Sequence, residues 1–241
     1  MTRLPVLMYH NFCAQEEASK GLTLAASRFE EQLMYLRSKG YQSFFLSELS
    51  VQKALPKRSV VLTFDDVTVS QWEFAVPLLI KYGFKAVFFV PFAYLGQNDA
   101  WNASSGAAAH PIMTAEQLRA LDPNVIELAH HSYAHPRLAT LTSEALQQDF
   151  DQAQQVMAAE QLSIFPALAY PYGNFPRQQP EQSRFFTQLQ ENGIAFGFRI
   201  GNTVSRFPWS NPYIIPRIDI KGEDHLLRFR WKLRWGRLRL W

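Results

Sequence analysis

The sequence predicts a parallel α/β fold, in which helices cover a sheet laid out either as an open doubly wound layer or as a closed barrel. Three observations carry this expectation. Short apolar runs of strand type alternate with segments of helical period almost from the first residue. Polar clusters stand where the apolar runs end. No linker, repeat or low-complexity stretch divides the 241 residues, a length that one core can serve.

The elements follow in order. "LPVLMY" reads as a strand, and "SRFEEQLMYLRSKG" as a helix with Ser27 and Glu30 in capping-box spacing, Phe29, Leu33 and Leu36 on one face, and Gly40 as the stop. "YQSFFL" is a strand and "SELSVQKAL" a short helix closed by Pro56. "SVVLTF" is a third strand, followed by the helix "SQWEFAVPLLIKYG", which Pro77 is expected to kink. "KAVFFVP" comes next, and residues 93–113 are small, polar and aperiodic, a long loop of the kind that borders a site. "TAEQLRAL" opens with Thr114 and Gln117 in capping-box spacing, and "VIELA" is a strand. The longest helix is "TSEALQQDFDQAQQVMAAEQL", with Leu146, Phe150, Ala153 and Met157 about one turn apart. "IFPALAY", "IAFGFRI" and "YIIPRIDI" supply further strands around a helix near 181–193.

Composition narrows the class. A hydrophobic fraction of 47% with 19% charged residues is that of a globular chain, not a disordered one. Cys13 stands alone, so no intrachain disulfide forms. The apolar stretch after Arg3 is broken by Pro5 and ends at Tyr9 and His10, too short for a signal-peptide core, and no run reaches the length of a membrane span. The expectation is a soluble cytoplasmic protein, at most peripheral to a membrane.

The net charge of +3 conceals an asymmetry: residues 228–241, "RFRWKLRWGRLRLW", hold six bases and no acid, leaving 18 bases against 21 acids elsewhere. Read as a strand, this tail puts Phe229, Trp231, Leu233 and Trp235 on one face and Arg228, Arg230, Lys232 and Arg234 on the other, an edge element over the barrel end. Read as a helix, its bases fall on two opposite sides. Weak contact with a membrane surface or an anionic polymer is the alternative role. Neither G-x-G-x-x-G nor G-x-x-x-x-G-K-[ST] follows any strand, which argues against nucleotide binding, and no nucleic-acid partner is expected.

Four polar clusters close predicted strands: "FDD", "HHSYAH", "YPYG" and "RID". The carboxyl ends of parallel strands open on one face, so clusters far apart in sequence can share one cavity. His131 and His135 are four apart and point the same way if the segment turns helically, with His130 a third possibility; imidazoles plus carboxylate suit zinc or a similar divalent ion. Taken alone, H-x-x-x-H is equally a polar loop. Asp65 and Asp66 read as a helix N-cap and its neighbour, yet two like charges beside "VVLTF" repel unless a cation offsets them.

Together these stretches resemble the polysaccharide deacetylase family, carbohydrate esterases built on the NodB-type domain: "PVLMYHNF", "LTFDD", "KYGFKAVFFV", "IELAHHSYAHPRL", "AYPYG" and "PRIDI", in that order over most of the chain. The resemblance implies an irregular (β/α) barrel and hydrolytic removal of N-acetyl groups from amino sugars of a glycan. It further implies Asp65 as general base, Asp66, His131 and His135 as ligands of one divalent metal, zinc first, and the backbone N–H of Tyr172 as oxyanion donor. Three positions depart from the family pattern. Val67 replaces the glycine after the aspartates, where a positive φ costs a β-branched residue about 1–2 kcal/mol, or where close substrate approach is narrowed. Ala169 replaces an arginine before the "PYG" segment, with Arg217 the candidate substitute beside Asp65. No late Leu-x-His motif supplies a general acid, His225 being a poor match. A catalytically silent glycan-binding relative, or a deacylase for another acyl group, are the alternatives these departures leave.

Overall fold

The computed structural model describes residues 1–103 and 109–236. Among the described residues seven parallel strands form a closed ring in chain order: β1 (Val6–Tyr9), β2 (Ser59–Asp65), β3 (Ala86–Val90), β4 (Ile126–His130), β5 (Phe165–Ala169), β6 (Phe196–Ile200) and β7 (Ile215–Asp219). β7 pairs with β1 through Ile218 and Leu7, and β1 with β2 through Leu7 and Leu62, which closes the barrel. A register shift at Ala129 and His130 makes the wall irregular between β4 and β5. The closed-barrel branch of the sequence expectation is therefore the one realised.

These strands are apolar throughout because both their faces are covered. Val60, Leu62 and Phe64 pack outward against Phe29, Leu33 and Leu36 of the helix Ala26–Ser38 and against Leu79 of the helix Val76–Tyr82. Val61, Val87, Phe89, Ala129, Ala167, Ala169, Phe198 and Ile215 fill the barrel interior. Each fully buried Val, Leu, Ile or Phe among them contributes about 1.5–3 kcal/mol. Since side chains alternate along a strand, the residue that follows Val61 and Thr63 on the inner face is Asp65. The same alternation points Arg217 inward beyond Ile215.

Local rules explain most of the remaining elements. Thr114 and Gln117 complete the capping box of Ala115–Arg119 with bonds of 3.1 and 2.8 Å, and Thr142 caps the helix Ser143–Ala159. The helix expected from Ser27 instead begins at Ala26, after a short strand Thr23–Ala25; the Ser27 hydroxyl bonds to Glu16 and caps nothing. The segment before Pro77 forms a π-helical turn, Gln71–Ala75, that runs directly into the α-helix Val76–Tyr82, so the proline falls where the regular i−4 bonding pattern is already interrupted.

The carboxyl-terminal expectation needs correction. Leu226–Trp235 is an α-helix, not an edge strand. Strict alternation also satisfies i,i+4 spacing, and the helix uses it to bury one face: Phe229 and Leu233 are both buried, Phe229 edge-on to Tyr35. Lys232 is buried with them, donating to the Asp219 carbonyl at 2.6 Å and to Asp224. Residues 237–241 of that tail lie outside the described residues.

Candidate functional site

The four strand-end clusters converge on a cavity of about 200 Å³ at the carboxyl end of the barrel. Its floor is the topmost layer of the inner strand faces. β2 ends at Asp65, and the chain then turns through two left-handed residues, Asp66 at φ +73° and Val67 at φ +44°. Left-handed backbone at non-glycine residues is costly and collects where function over-determines the geometry. The Gln71 amide donates to the carbonyls of Asp65 (2.6 Å) and His10 (2.9 Å), tying the ends of β1 and β2 together.

Val67 therefore occupies a positive-φ position, the first of the two costs anticipated. Its side chain is fully buried among Phe64, Ile112 and Met113 and is not among the residues lining the cavity. Its carbonyl accepts the Met113 N–H at 2.9 Å. The substitution strains the backbone and leaves the site open.

Asp65 is buried and takes a two-pronged ion pair from Arg217, Nη1 to Oδ1 at 2.5 Å and Nη2 to Oδ2 at 2.7 Å. Arg217 is itself wholly buried, with its guanidinium 5.3 Å from the Phe89 ring centre. The small Ala169 and the large Arg217 are complementary: both side chains face inward, and the arginine reaches Asp65 from β7. Burial acts to raise the Asp65 pKa, but Arg217, with His131 and His10 nearby, outweighs it and holds the carboxyl well below its usual range.

Asp66, His131 and His135 place one ligand atom each within 4.8 Å of one another, all three buried. Nε2 of His131 lies 3.5 Å and Nε2 of His135 3.6 Å from Asp66 Oδ1, which is buried without a hydrogen bond among the described residues. Nδ1 of His131 meets the Ala169 carbonyl at 2.8 Å, which fixes that nitrogen as an N–H, so that in the neutral ring the Nε2 lone pair faces Asp66; against the effect of burial, Asp65 and Asp66 raise the His131 pKa. A carboxylate oxygen with no donor, facing two imidazole nitrogens, fits a divalent cation. Burial alone pushes Asp66 up, but His131 and His135 bring it below the usual value. Burial and the neighbouring His131 lower His135 to about 3.

The segment joining the two histidines does not turn helically, so the condition under which their spacing alone would align them is not met. Ser132 (φ +66°) and His135 (φ +54°) are left-handed, and Asp149 accepts the N–H groups of Tyr133 at 2.8 Å and Ala134 at 3.2 Å, holding this loop to the helix Ser143–Ala159. His130 packs outward between Phe92 and Phe150 and accepts the Ser132 N–H through Nδ1 at 2.9 Å; burial keeps it neutral, with a pKa lowered to about 3. It is thus not part of the cluster that Asp66, His131 and His135 form.

Tyr172 stands at the mouth at φ +58°, its ring edge-on to His135 and beneath the Arg137 guanidinium at 4.5 Å. Gly173 follows at φ +62°, where a Cβ would come within 2.9 Å of Ile200. Trp101, from the stretch expected as a loop, stacks on His135 at 4.0 Å. Residues 104–108 of that stretch lie outside the described residues. His225 is exposed ahead of the carboxyl-terminal helix and does not line the cavity.

Sequence reasoning passed over four of these residues. His10 follows β1 on its inner face, lines the cavity and brings Nε2 to 3.8 Å from Asp65 Oδ2; the strand-end rule that flagged the other clusters applies to "LMYH" equally. Gln71, Trp101 and Asp149 carry no such signal, because each acts through a contact distant in sequence.

The sequence pattern of the polysaccharide deacetylase family matches residues 52–193. The Bacillus subtilis family member YxkH is 28% identical over 180 residues, which span 72% of this chain and 58% of its own length. A poly-beta-1,6-N-acetyl-D-glucosamine N-deacetylase of Staphylococcus aureus is 26% identical over 227 residues, 91% of this chain and 76% of its own. The fold is similar to that of the Streptococcus pyogenes deacetylase PplD, with a TM-score of 0.77 at 20% identity over 96% of this chain and 98% of that one.

Proposed function

Because the chain belongs to the polysaccharide deacetylase family, we propose that it removes N-acetyl groups from amino sugars of a glycan with one divalent metal ion. The observation that carries this reading is the undonated, buried Asp66 oxygen facing two imidazole nitrogens. Asp66, His131 and His135 would hold the ion, and one carboxylate with two imidazoles suits zinc first. Such an ion, when bound, polarises the amide carbonyl and makes a water molecule acidic enough to be deprotonated near neutral pH.

The chain's own groups do the rest. Asp65 takes the proton from water; Arg217 guarantees that it is ionised, at the cost of making it a weak base, so it serves only for an acidified water. His10, on the same cavity wall and 3.8 Å from Asp65, delivers a proton to the departing amine nitrogen, the role that no late histidine motif fills. The Tyr172 backbone N–H stabilises the developing oxyanion. Trp101 and the Tyr172 ring give the mouth flat apolar walls against which a pyranose face can stack. The name of the Staphylococcus aureus relative makes β-1,6-linked N-acetylglucosamine the first polymer to try.

The test is acetate release from N-acetylglucosamine oligomers by metal-loaded and chelator-treated protein. Release that chelation removes, added metal restores and Asp65→Asn abolishes supports the reading. Metal-loaded protein that binds the oligomers and releases no acetate would overturn it in favour of a silent glycan-binding relative.

A further inference from the structure

The helix Leu226–Trp235 has two apolar faces. Phe229 and Leu233 face the protein, whereas Leu227, Trp231 and Trp235 recur every fourth residue on the opposite side, exposed to 68%, 44% and 52%. On a helix of 3.6 residues per turn, Arg230 and Arg234 flank this outer ridge on one side and Arg228 on the other. The opposite placement of the bases, which makes the segment look poorly amphipathic in sequence, is what two apolar faces require.

Beside the ridge lies a groove of about 590 Å³ between Arg230, Arg234, Trp231 and Trp235 on the helix and Tyr35, Lys39, Tyr41 and Arg58 on the barrel side. Arg3 joins it, with its guanidinium 5.7 Å from the Trp235 ring centre. Among the described residues, Arg3, Lys39, Arg58, Arg230 and Arg234 have no carboxylate partner; Arg228 alone on the outer face pairs with an acid, Asp224 at 3.0 Å. Five cations gathered without an acid repel one another, and an anionic surface relieves that repulsion.

We propose that this ridge and its flanking cations dock the protein on an anionic lipid bilayer. Tryptophans on a basic helix sit at the level of lipid headgroups, and arginines bind the phosphates around them. No described helix is long and apolar enough to cross a membrane, so the contact is peripheral. An N-acetylated glycan does not suit the patch: the substrate is neutral, and loss of acetyl groups makes the polymer cationic, which the arginines repel. Arg58 immediately precedes β2, whereas Asp65 ends it. The Arg58 side of the docking face is therefore at the opposite end of that strand from the cavity, roughly 20 Å away at 3.3 Å per residue, and the groove shares no lining residue with the cavity.

Only the exclusion of a glycan occupant rests on the proposed enzymatic reading, and the test measures no activity, so the two fail separately. The full chain is sedimented with phosphatidylcholine vesicles, with and without phosphatidylglycerol, at low and high salt, alongside Trp231→Ser/Trp235→Ser and Arg230→Gln/Arg234→Gln. All four side chains lie on the exposed, groove-lining side of the helix, and circular dichroism checks that the variants stay folded. Expected are binding to the anionic vesicles only, a blue shift of tryptophan emission, and weakening by salt. The double arginine variant binds roughly 25-fold more weakly, a factor of about five per charge, and the double tryptophan variant loses the blue shift. Failure of the wild type to sediment with anionic vesicles at low salt overturns the proposal, as does equal binding by both variants. So does retention on dextran sulfate without vesicle binding, which would assign the face to an anionic polymer.

Discussion

Asp65 and Glu127 are carboxylates at opposite ends of the barrel wall, one closing β2 at the carboxyl end, the other near the amino end of β4 on the face shared with Ala129. Asp65 is paired with a buried guanidinium and titrates far below its usual range. Glu127 is held by neutral donors, the Ser47 side chain and the N–H groups of Leu46 (2.8 Å) and Ser47 (3.2 Å); burial outweighs them and raises its pKa. Neutral donors satisfy a carboxylate's hydrogen bonds without securing its charge. The end of the barrel that is proposed to do chemistry is the one where ionisation is enforced.

Removing the guanidinium should abolish that difference, and this is the largest effect expected. Arg217→Met leaves Asp65 buried without its cation, costing about 3–5 kcal/mol in urea unfolding and about a hundredfold or more in acetate release. The pH dependence follows from the sign of the shift. In the wild type the folded pKa of Asp65 lies below the unfolded value of about 4, so its stabilisation is present above pH 4 and is lost as pH falls through the folded value. In Arg217→Met the Asp65 pKa should rise, as that of Glu127 does, moving the acid limb of acetate release to higher pH. An unmoved acid limb would contradict the role given to Arg217.

A smaller effect concerns strain at the same end. Val67 combines a left-handed backbone with a fully buried side chain, so two opposed terms meet there. Val67→Ala loses burial and keeps the strain, and should destabilise by about 1–2 kcal/mol. Val67→Gly loses slightly more burial but recovers about 1–2 kcal/mol of strain, and should be the more stable of the two. Urea midpoints decide this, and acetate release should be preserved in both folded variants. If Gly proved less stable than Ala, as at an ordinary core position, the strain argument would fail.

Glu127→Gln should do least. A raised folded pKa means that the wild type loses stability as pH rises through it, so the glutamine variant should show a flatter stability curve above about pH 4, by under about 1 kcal/mol given the partial exposure of the group. A loss comparable to that of Arg217→Met would show that the two ends of the barrel are not treated differently after all.

The alternating cadence of strand and helix was legible in the sequence because parallel strands covered on both faces are apolar throughout, and because the helices carry period and caps, as at Thr114. The polar clusters were legible because strand ends of a parallel barrel share one face. What stayed hidden depends on contacts between distant residues. Asp149 matters through two N–H groups of the His131–His135 loop, and Gln71 through two carbonyls on different strands. Nothing in their local sequence distinguishes them from surface polar residues. The carboxyl-terminal helix was misread for a different reason: "RFRWKLRW" satisfies period two and i,i+4 equally, and only the tertiary contact of Phe229 with Tyr35 decides between them.

The central claim is that Asp65 and Asp66, adjacent and both buried, have divided their work between proton transfer and metal binding. Zinc titration and acetate release measured side by side on Asp65→Asn and Asp66→Asn test it most directly. The account expects Asp65→Asn to bind one zinc ion per chain and release no acetate, and Asp66→Asn to lose both. Zinc binding lost in Asp65→Asn, or retained in Asp66→Asn, would contradict it.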